Sequence, residues 1–187
     1  MKILILVALE KEFKLKFNQY FKDSNYKLVY TGVGLINATM ITTKYILLYK
    51  PDLIINYGSA GNLKNHTGLK NVKQVYIIDK SILPDKYDIK DSYLSYDNKN
   101  NEIIVGSSIK FITKPDIWTK ENCDLVDMEL YGIACACNYF NVPWISRKWV
   151  SDNADINSIN NWESTLPEGK EMFLNFLTNT NITKLIV

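Results

Sequence analysis

The chain has 187 residues, 47% of them hydrophobic, with 22 Lys plus Arg against 20 Asp plus Glu for a net charge of +2. That length fits one domain over 1–187 with a full core, and a near-neutral chain without long runs of like charge excludes a dedicated nucleic-acid binder and points to a small-molecule partner. The opening run MKILILVALEKEF is too short to span a membrane and lacks a small-residue cleavage pattern, so the expectation is a cytoplasmic protein that engages no membrane.

Residues 2–8 form an apolar run between charges, the pattern of a buried strand in a parallel sheet covered on both faces. Leu9, Phe13, Phe17 and Phe21 recur at the spacing of a one-sided helix, which puts Glu10 and Glu12 at or just after the strand-to-helix junction. Residues 27–30 predict a second strand, ending in TGVGLINATM before an amphipathic helix that reaches about Tyr49. Gly32 and Gly34 flank Val33 and can bring backbone N–H groups close to a bound molecule, although a GxG equally suits an ordinary strand-to-helix turn. Pro51 ends that helix, and DLIIN is a buried strand running into YGSAGNL. There the Ser59 hydroxyl and the amides near Ala60 and Gly61 could donate to a substrate, or the segment could be a plain tight turn.

VKQVYIID, residues 72–79, alternates as a strand, and the polar, tyrosine-rich stretch 80–101 reads as a surface excursion or a lid. EIIVGSS resumes the core and leads into IKFIT, with Phe111 at a strand end. In LYGIACACNYF, Leu130, Ile133, Ala134 and Cys137 make the apolar stripe of a helix, while Gly132, Ala134 and Ala136 let it approach the sheet. VPWISRKWV is the last strand, SDNAD leaves it, and 162–177 predicts a closing helix with Pro167 near its beginning. Cys123, Cys135 and Cys137 lack zinc-type spacing and read as buried thiols. The alternation predicts an α/β protein, a three-layer α/β/α sandwich around a central mixed, mostly parallel sheet.

Acids stand at the seams of the last strand, helix, strand unit. Asp127 and Glu129 close one apolar run and Asp152 the next, and an open α/β sheet binds ligands outside the carboxyl ends of its strands. Six pieces, ALEKEF, TGVGLINA, PDLIINYGSAGNL, FIT, VDMELYGIA and VSDNAD, follow one another over most of the chain. On them the sequence resembles the nucleoside phosphorylase and nucleosidase superfamily, and most closely its 5'-methylthioadenosine/S-adenosylhomocysteine nucleosidases.

The resemblance implies hydrolysis of the bond between a purine and its ribose, with adenine released and no cofactor or metal required. Such cleavage passes through an oxocarbenium-like sugar and needs a protonated leaving group, a positioned water and groups that bind hydroxyls. By the same resemblance Asp152 protonates purine N7 with Ser151 orienting it, and Glu12 activates the water. Glu129 accepts from the ribose hydroxyls, Met128 lies under the sugar, Phe111 stacks on the base, and Ile112 offers its backbone to the ring edge. A homodimer is implied as well, because relatives complete each site across an interface. From residue types alone, Glu12 also fits a solvated acid on a first helical turn, Asp152 a helix cap, and Met128 and Phe111 the core.

Two rivals stand beside this reading. A phosphate-dependent purine nucleoside phosphorylase needs a cluster of cations, whereas the chain has a single arginine, Arg147, with Lys148 beside it. A non-catalytic nucleoside-binding protein would have little use for Glu12, Glu129 and Asp152 together. Departures from the pattern are Asn62 in place of a second glycine, Ile109 where a polar residue is common, Asp127 in place of glutamate, and short intervals after Glu12 and before FIT. They leave the 5'-substituent open.

Overall fold

β1 (Ile3–Val7) is buried at every position because it lies between two parallel partners, β2 (Tyr26–Tyr30) and β3 (Leu53–Asn62). Its side chains alternate as the pleat requires: Leu4 and Leu6 enter one core, and Ile3, Ile5 and Val7 enter another. The computed structural model describes residues 1–15, 25–79, 93–96 and 103–185. The remaining strands are β4 (Leu69–Ile77), β5 (Tyr93–Ser95), β6 (Ile103–Ser107), β7 (Leu125–Asp127) and β8 (Trp144–Asp152). Among these residues no helix is long and apolar enough to cross a membrane.

The sheet is mixed and closes on itself. β3 pairs with β7, β7 with β6, β6 with β4, β4 with β8, and β8 with β3 again. This ring departs from the open sandwich expected of strand and helix alternation, because β8 is long enough to run parallel to β3 along one edge and antiparallel to β4 along the other. One edge of β3 is shared in a way that matters for function. β1 covers it as far as Tyr57, and β7 takes it up again at Gly61, which leaves Gly58 to Ala60 without a strand on that side.

Among the described residues the sheet is joined by four α-helices, α1 (Leu35–Tyr49), α2 (Ile117–Asn122), α3 (Leu130–Tyr139) and α4 (Ser158–Asn179), and a closing 3-10 turn at Ile182–Leu185. The first core joins α1 and α3 to the sheet through Ala38, Ile133, Ala134 and Cys137. Gly132 makes that approach possible, since a Cβ there would lie 2.6 Å from Leu35 O and from Thr39 Oγ1. The second core joins α4 through Phe173 and Leu177, with Tyr57 stacked on Phe173 at 4.3 Å and Phe13 edge-on to it at 4.9 Å.

Several boundaries differ from the sequence expectations. Residues 9–15 form a turn and an irregular stretch instead of the start of a helix, and the rest of that predicted helix lies outside the described residues. Phe13 is an anchor for this turn, so its spacing from Leu9 reflects one buried contact and not a helical face. The GSAGN segment continues β3 with a register shift between Ala60 and Gly61, where a turn was expected. Most of the predicted 80–101 excursion is outside the described residues, but Tyr93 to Ser95 pair with β4. α2 was not anticipated; Asp116 Oδ1 caps it by accepting from Thr119 N at 2.7 Å. α4 begins earlier than expected and carries Pro167 inside it. Cys123 and Cys137 are buried, whereas Cys135 is exposed.

Candidate active site

The uncovered edge of β3 opens into a cavity of about 330 Å³. Its walls come from the chain just after β1, the turn before α1, the middle of β3, the loop after β6, the ends of β7 and β8, and the start of α4. All eleven residues singled out from sequence line it: Glu12, Val33, Ser59, Ala60, Gly61, Phe111, Ile112, Met128, Glu129, Ser151 and Asp152.

Glu12 is buried and accepts three hydrogen bonds. Oε1 takes the backbone N–H of Ser59 at 3.0 Å and its hydroxyl at 2.7 Å, while Oε2 takes the N–H of Leu9 at 3.1 Å. The alternative of a solvated acid on a helical turn is therefore ruled out, and Phe13 behind it pins the turn into the second core. The two Ser59 donors expected to face a substrate are directed at Glu12 instead.

Glu129 sits at the junction of β7 and α3. Gly34 N donates to its Oε1 at 2.8 Å, so the N–H that the GxG turn makes available reaches a protein carboxylate. Gly34 has φ 94 and Gly32 φ 78, the left-handed region that a side chain resists. Burial pushes the Glu129 carboxyl up to about 7, the neighbouring Asp127 carboxylate pushes the same way, Lys148 and the Gly34 N–H oppose, and Glu12 adds a smaller push.

Beneath it, Asp127 is fully engaged. Oδ1 accepts from Ser107 Oγ at 2.5 Å, and Oδ2 from Leu130 N at 2.9 Å and from Lys148 Nζ at 2.7 Å. Lys148 is thus a buried partner of Asp127, and Arg147 stacks over Phe176 with its guanidinium carbon 4.1 Å from the ring centre. Neither offers its charge to the cavity, and among the described lining residues there is no lysine or arginine.

Asp152 closes β8. Ser151 Oγ donates to its Oδ2 at 2.7 Å and Ala154 N to its Oδ1 at 2.9 Å, a local turn and not a helix cap. Phe111 and Val33 are exposed apolar side chains on the cavity rim, so the core reading of Phe111 is overturned. Sequence reasoning missed Ile159, Trp162 and Glu163, which bring the first turns of α4 to the wall. No local signal marks them, because their place depends on the direction in which α4 returns across the sheet.

No protein-family model matches the chain. The 5'-methylthioadenosine/S-adenosylhomocysteine nucleosidase of Buchnera aphidicola subsp. Schizaphis graminum is 30% identical over 184 residues, covering 79% of this chain and 74% of that protein. The chain belongs to the 5'-methylthioadenosine/S-adenosylhomocysteine nucleosidase family. Among solved structures, a variant of the Helicobacter pylori nucleosidase with 5'-methylthioadenosine in its active site superposes with a TM-score of 0.79 at 18% identity, covering 95% of this chain and 96% of that one. The futalosine hydrolase of Helicobacter pylori superposes equally well, with a TM-score of 0.79 at 19% identity and 95% of each chain covered. These two likenesses establish the α/β fold.

Proposed function

We propose that the chain is a purine N-ribosyl hydrolase that cleaves 5'-methylthioadenosine or S-adenosylhomocysteine and releases adenine. The observation that carries this reading is the meeting of three carboxylates, Glu12, Glu129 and Asp152, from distant parts of the chain on one cavity with a largely apolar wall. Glu129 grips the ribose hydroxyls as a charge-assisted acceptor, with Met128 under the sugar. Phe111 and Ile112 receive the purine. Asp152, oriented by Ser151, gives its proton to N7 as the bond between C1' and N9 breaks, and such a general acid contributes about 10²- to 10⁴-fold. Glu12 takes a proton from the water that attacks C1'; its Oε2, with a single protein donor from Leu9, has room to accept it.

Water is favoured over phosphate as the nucleophile because the lining contains Glu12 and no lysine or arginine among the described residues. A homodimer belongs to the same reading. Ile36, Met40 and Leu47 are exposed, and their spacing puts them within about 40° of one another on the outer face of α1.

The test is to incubate the purified protein with a panel of purine nucleosides, with and without phosphate, and to chromatograph for free base. Adenine released without phosphate is the expected result; release only with phosphate assigns the phosphorylase reaction instead. Light scattering on the same preparation reads the oligomeric state.

A further inference from the structure

Trp162, near the start of α4, has no assigned part in the chemistry above, yet its indole N–H donates to Ser59 Oγ at 2.6 Å. An indole nitrogen can only donate, so Ser59 Oγ accepts there and its single hydrogen is left for Glu12 Oε1, 2.7 Å away. The three groups form a relay of fixed direction, from indole to hydroxyl to carboxylate. A serine hydroxyl without the indole is free to rotate toward other acceptors, and the backbone N–H of Ser59 would then be the remaining donor to that oxygen.

The indole is itself held in place. Lys11 Nζ lies 4.1 Å from the centre of its ring and pairs with Glu163 at 2.5 Å, so a cation adjoining Glu12 in sequence presses on the face of Trp162. One turn further along, Thr165 Oγ1 accepts from Trp149 Nε1 at 3.1 Å, and its single hydrogen faces Trp162 O at 3.1 Å with Ser151 O further off at 3.4 Å. The start of α4 is thereby fastened to β3 near Glu12 and to β8 near Asp152.

We infer that Trp162 is a positioning residue for the water-activating base: acting through Ser59, it fixes the orientation of the Glu12 carboxylate. The inference rests on the reading of Glu12 as that base. A base must present its lone pair within hydrogen-bond reach of the water, and a displacement of about 1 Å in such a group can cost about 10²-fold. A tryptophan that served only as cavity wall would act on substrate binding. One that aims the base acts on turnover.

The experiment follows adenine release from 5'-methylthioadenosine by the wild-type chain and by two replacements at Trp162. One is Trp162→Phe; the other is the isostere β-(3-benzothienyl)alanine, which keeps the shape of the indole and removes only its N–H. Both are repeated in a Ser59→Ala background. The expected result is a fall in kcat of roughly 5- to 20-fold with KM within about threefold. In the Ser59→Ala background the replacement adds no further loss, since the relay is already cut. An unchanged kcat in the isostere, a loss confined to KM, or an undiminished Trp162 effect in the Ser59→Ala background overturns the inference. Should Trp162→Phe fail to fold, the isostere decides alone. A wild-type chain that releases no adenine removes the nucleosidase reading and this inference with it, whereas wild-type turnover with unaltered variants removes the inference only.

Discussion

Lys148 Nζ lies 2.7 Å from Asp127 Oδ2, and both side chains are sealed from solvent beneath the strand end that carries Met128 and Glu129. Two further donors, Ser107 Oγ and Leu130 N, complete the carboxylate. Removing one member of a buried pair leaves an uncompensated charge and costs about 3–5 kcal/mol. Lys148→Met should therefore lower the melting temperature by on the order of 10 °C. Adding Asp127→Asn should recover part of that loss, because the uncompensated charge disappears. A melting temperature within about 2 °C of the wild type for Lys148→Met would show that the pair does not hold this floor together.

Glu129 gives nucleoside binding a pH dependence of known sign. Its carboxyl stands at about 7, raised from an ordinary 4.5 chiefly by burial and then by Asp127. The ribose hydroxyls need an ionised acceptor, so affinity is present above pH 7 and declines below it, by up to about tenfold per pH unit. Titration calorimetry with a slowly turned-over nucleoside analogue between pH 5.5 and 8.5 reads this directly, and Glu129→Gln should bind weakly with the slope flattened. For stability the sign is opposite to that of an ordinary ion-paired acid. The folded state holds this proton more tightly than the unfolded state, so the group's contribution is full below pH 4.5 and is lost as pH rises through about 7. Equal affinity at pH 5.5 and pH 8 would remove Glu129 as the sugar's acceptor.

How far the sequence could be read follows from which interactions are local. β1 and the first core strand of β3 were legible because an unbroken apolar run has few alternatives once both faces are covered. The extension of β3 through Gly58 to Asn62 was hidden, since small residues have poor strand propensity and are held here by β8 and β7, partners distant in sequence. Closure of the ring was hidden for the same reason. At the cavity, the seam acids Glu129 and Asp152 stood out by position, and Glu12 only through the six-piece resemblance, because its burial depends on Ser59 and Phe13. Trp162 carried no signal at all; its value lies in a donor that finds Ser59 only after α4 has folded back across the sheet.

Asp152 is separable from binding by a substitution that keeps its shape. Its Oδ1 accepts from Ala154 N at 2.9 Å, and an amide oxygen at this position can accept the same bond. Asp152→Asn should therefore keep nucleoside affinity within a few-fold while kcat falls about 10²- to 10⁴-fold, since the amide has no proton to give N7. Calorimetric affinity and chromatographic turnover on one preparation separate the two effects. Full turnover in the variant would mean that the leaving base is protonated from elsewhere.

Gly61 tests whether the bulge of β8 opposite it, where Ser151 is the extra residue, sets the position of that acid. A Cβ there would lie 3.0 Å from Asp152 Oδ1, 3.0 Å from Ala154 Cβ and 3.1 Å from Val126 Cγ2. Three neighbours at once, two of them on the turn that holds Asp152 and one on β7, leave no single soft side chain to move aside. Overpacking of this kind costs about 1–3 kcal/mol, so Gly61→Ala should lower stability by that much in a denaturant melt. Because the added methyl presses on the acid itself, it should also reduce kcat more than it raises KM. Across the register shift Ser151 is the extra residue on β8, so Gly61 pairs with Asp152 on one side and with Val126 of β7 on the other. A Gly61→Ala variant with normal stability and turnover would mean that the strand can yield there without carrying Asp152 along, and that the acid is placed by Ser151 and Ala154 alone.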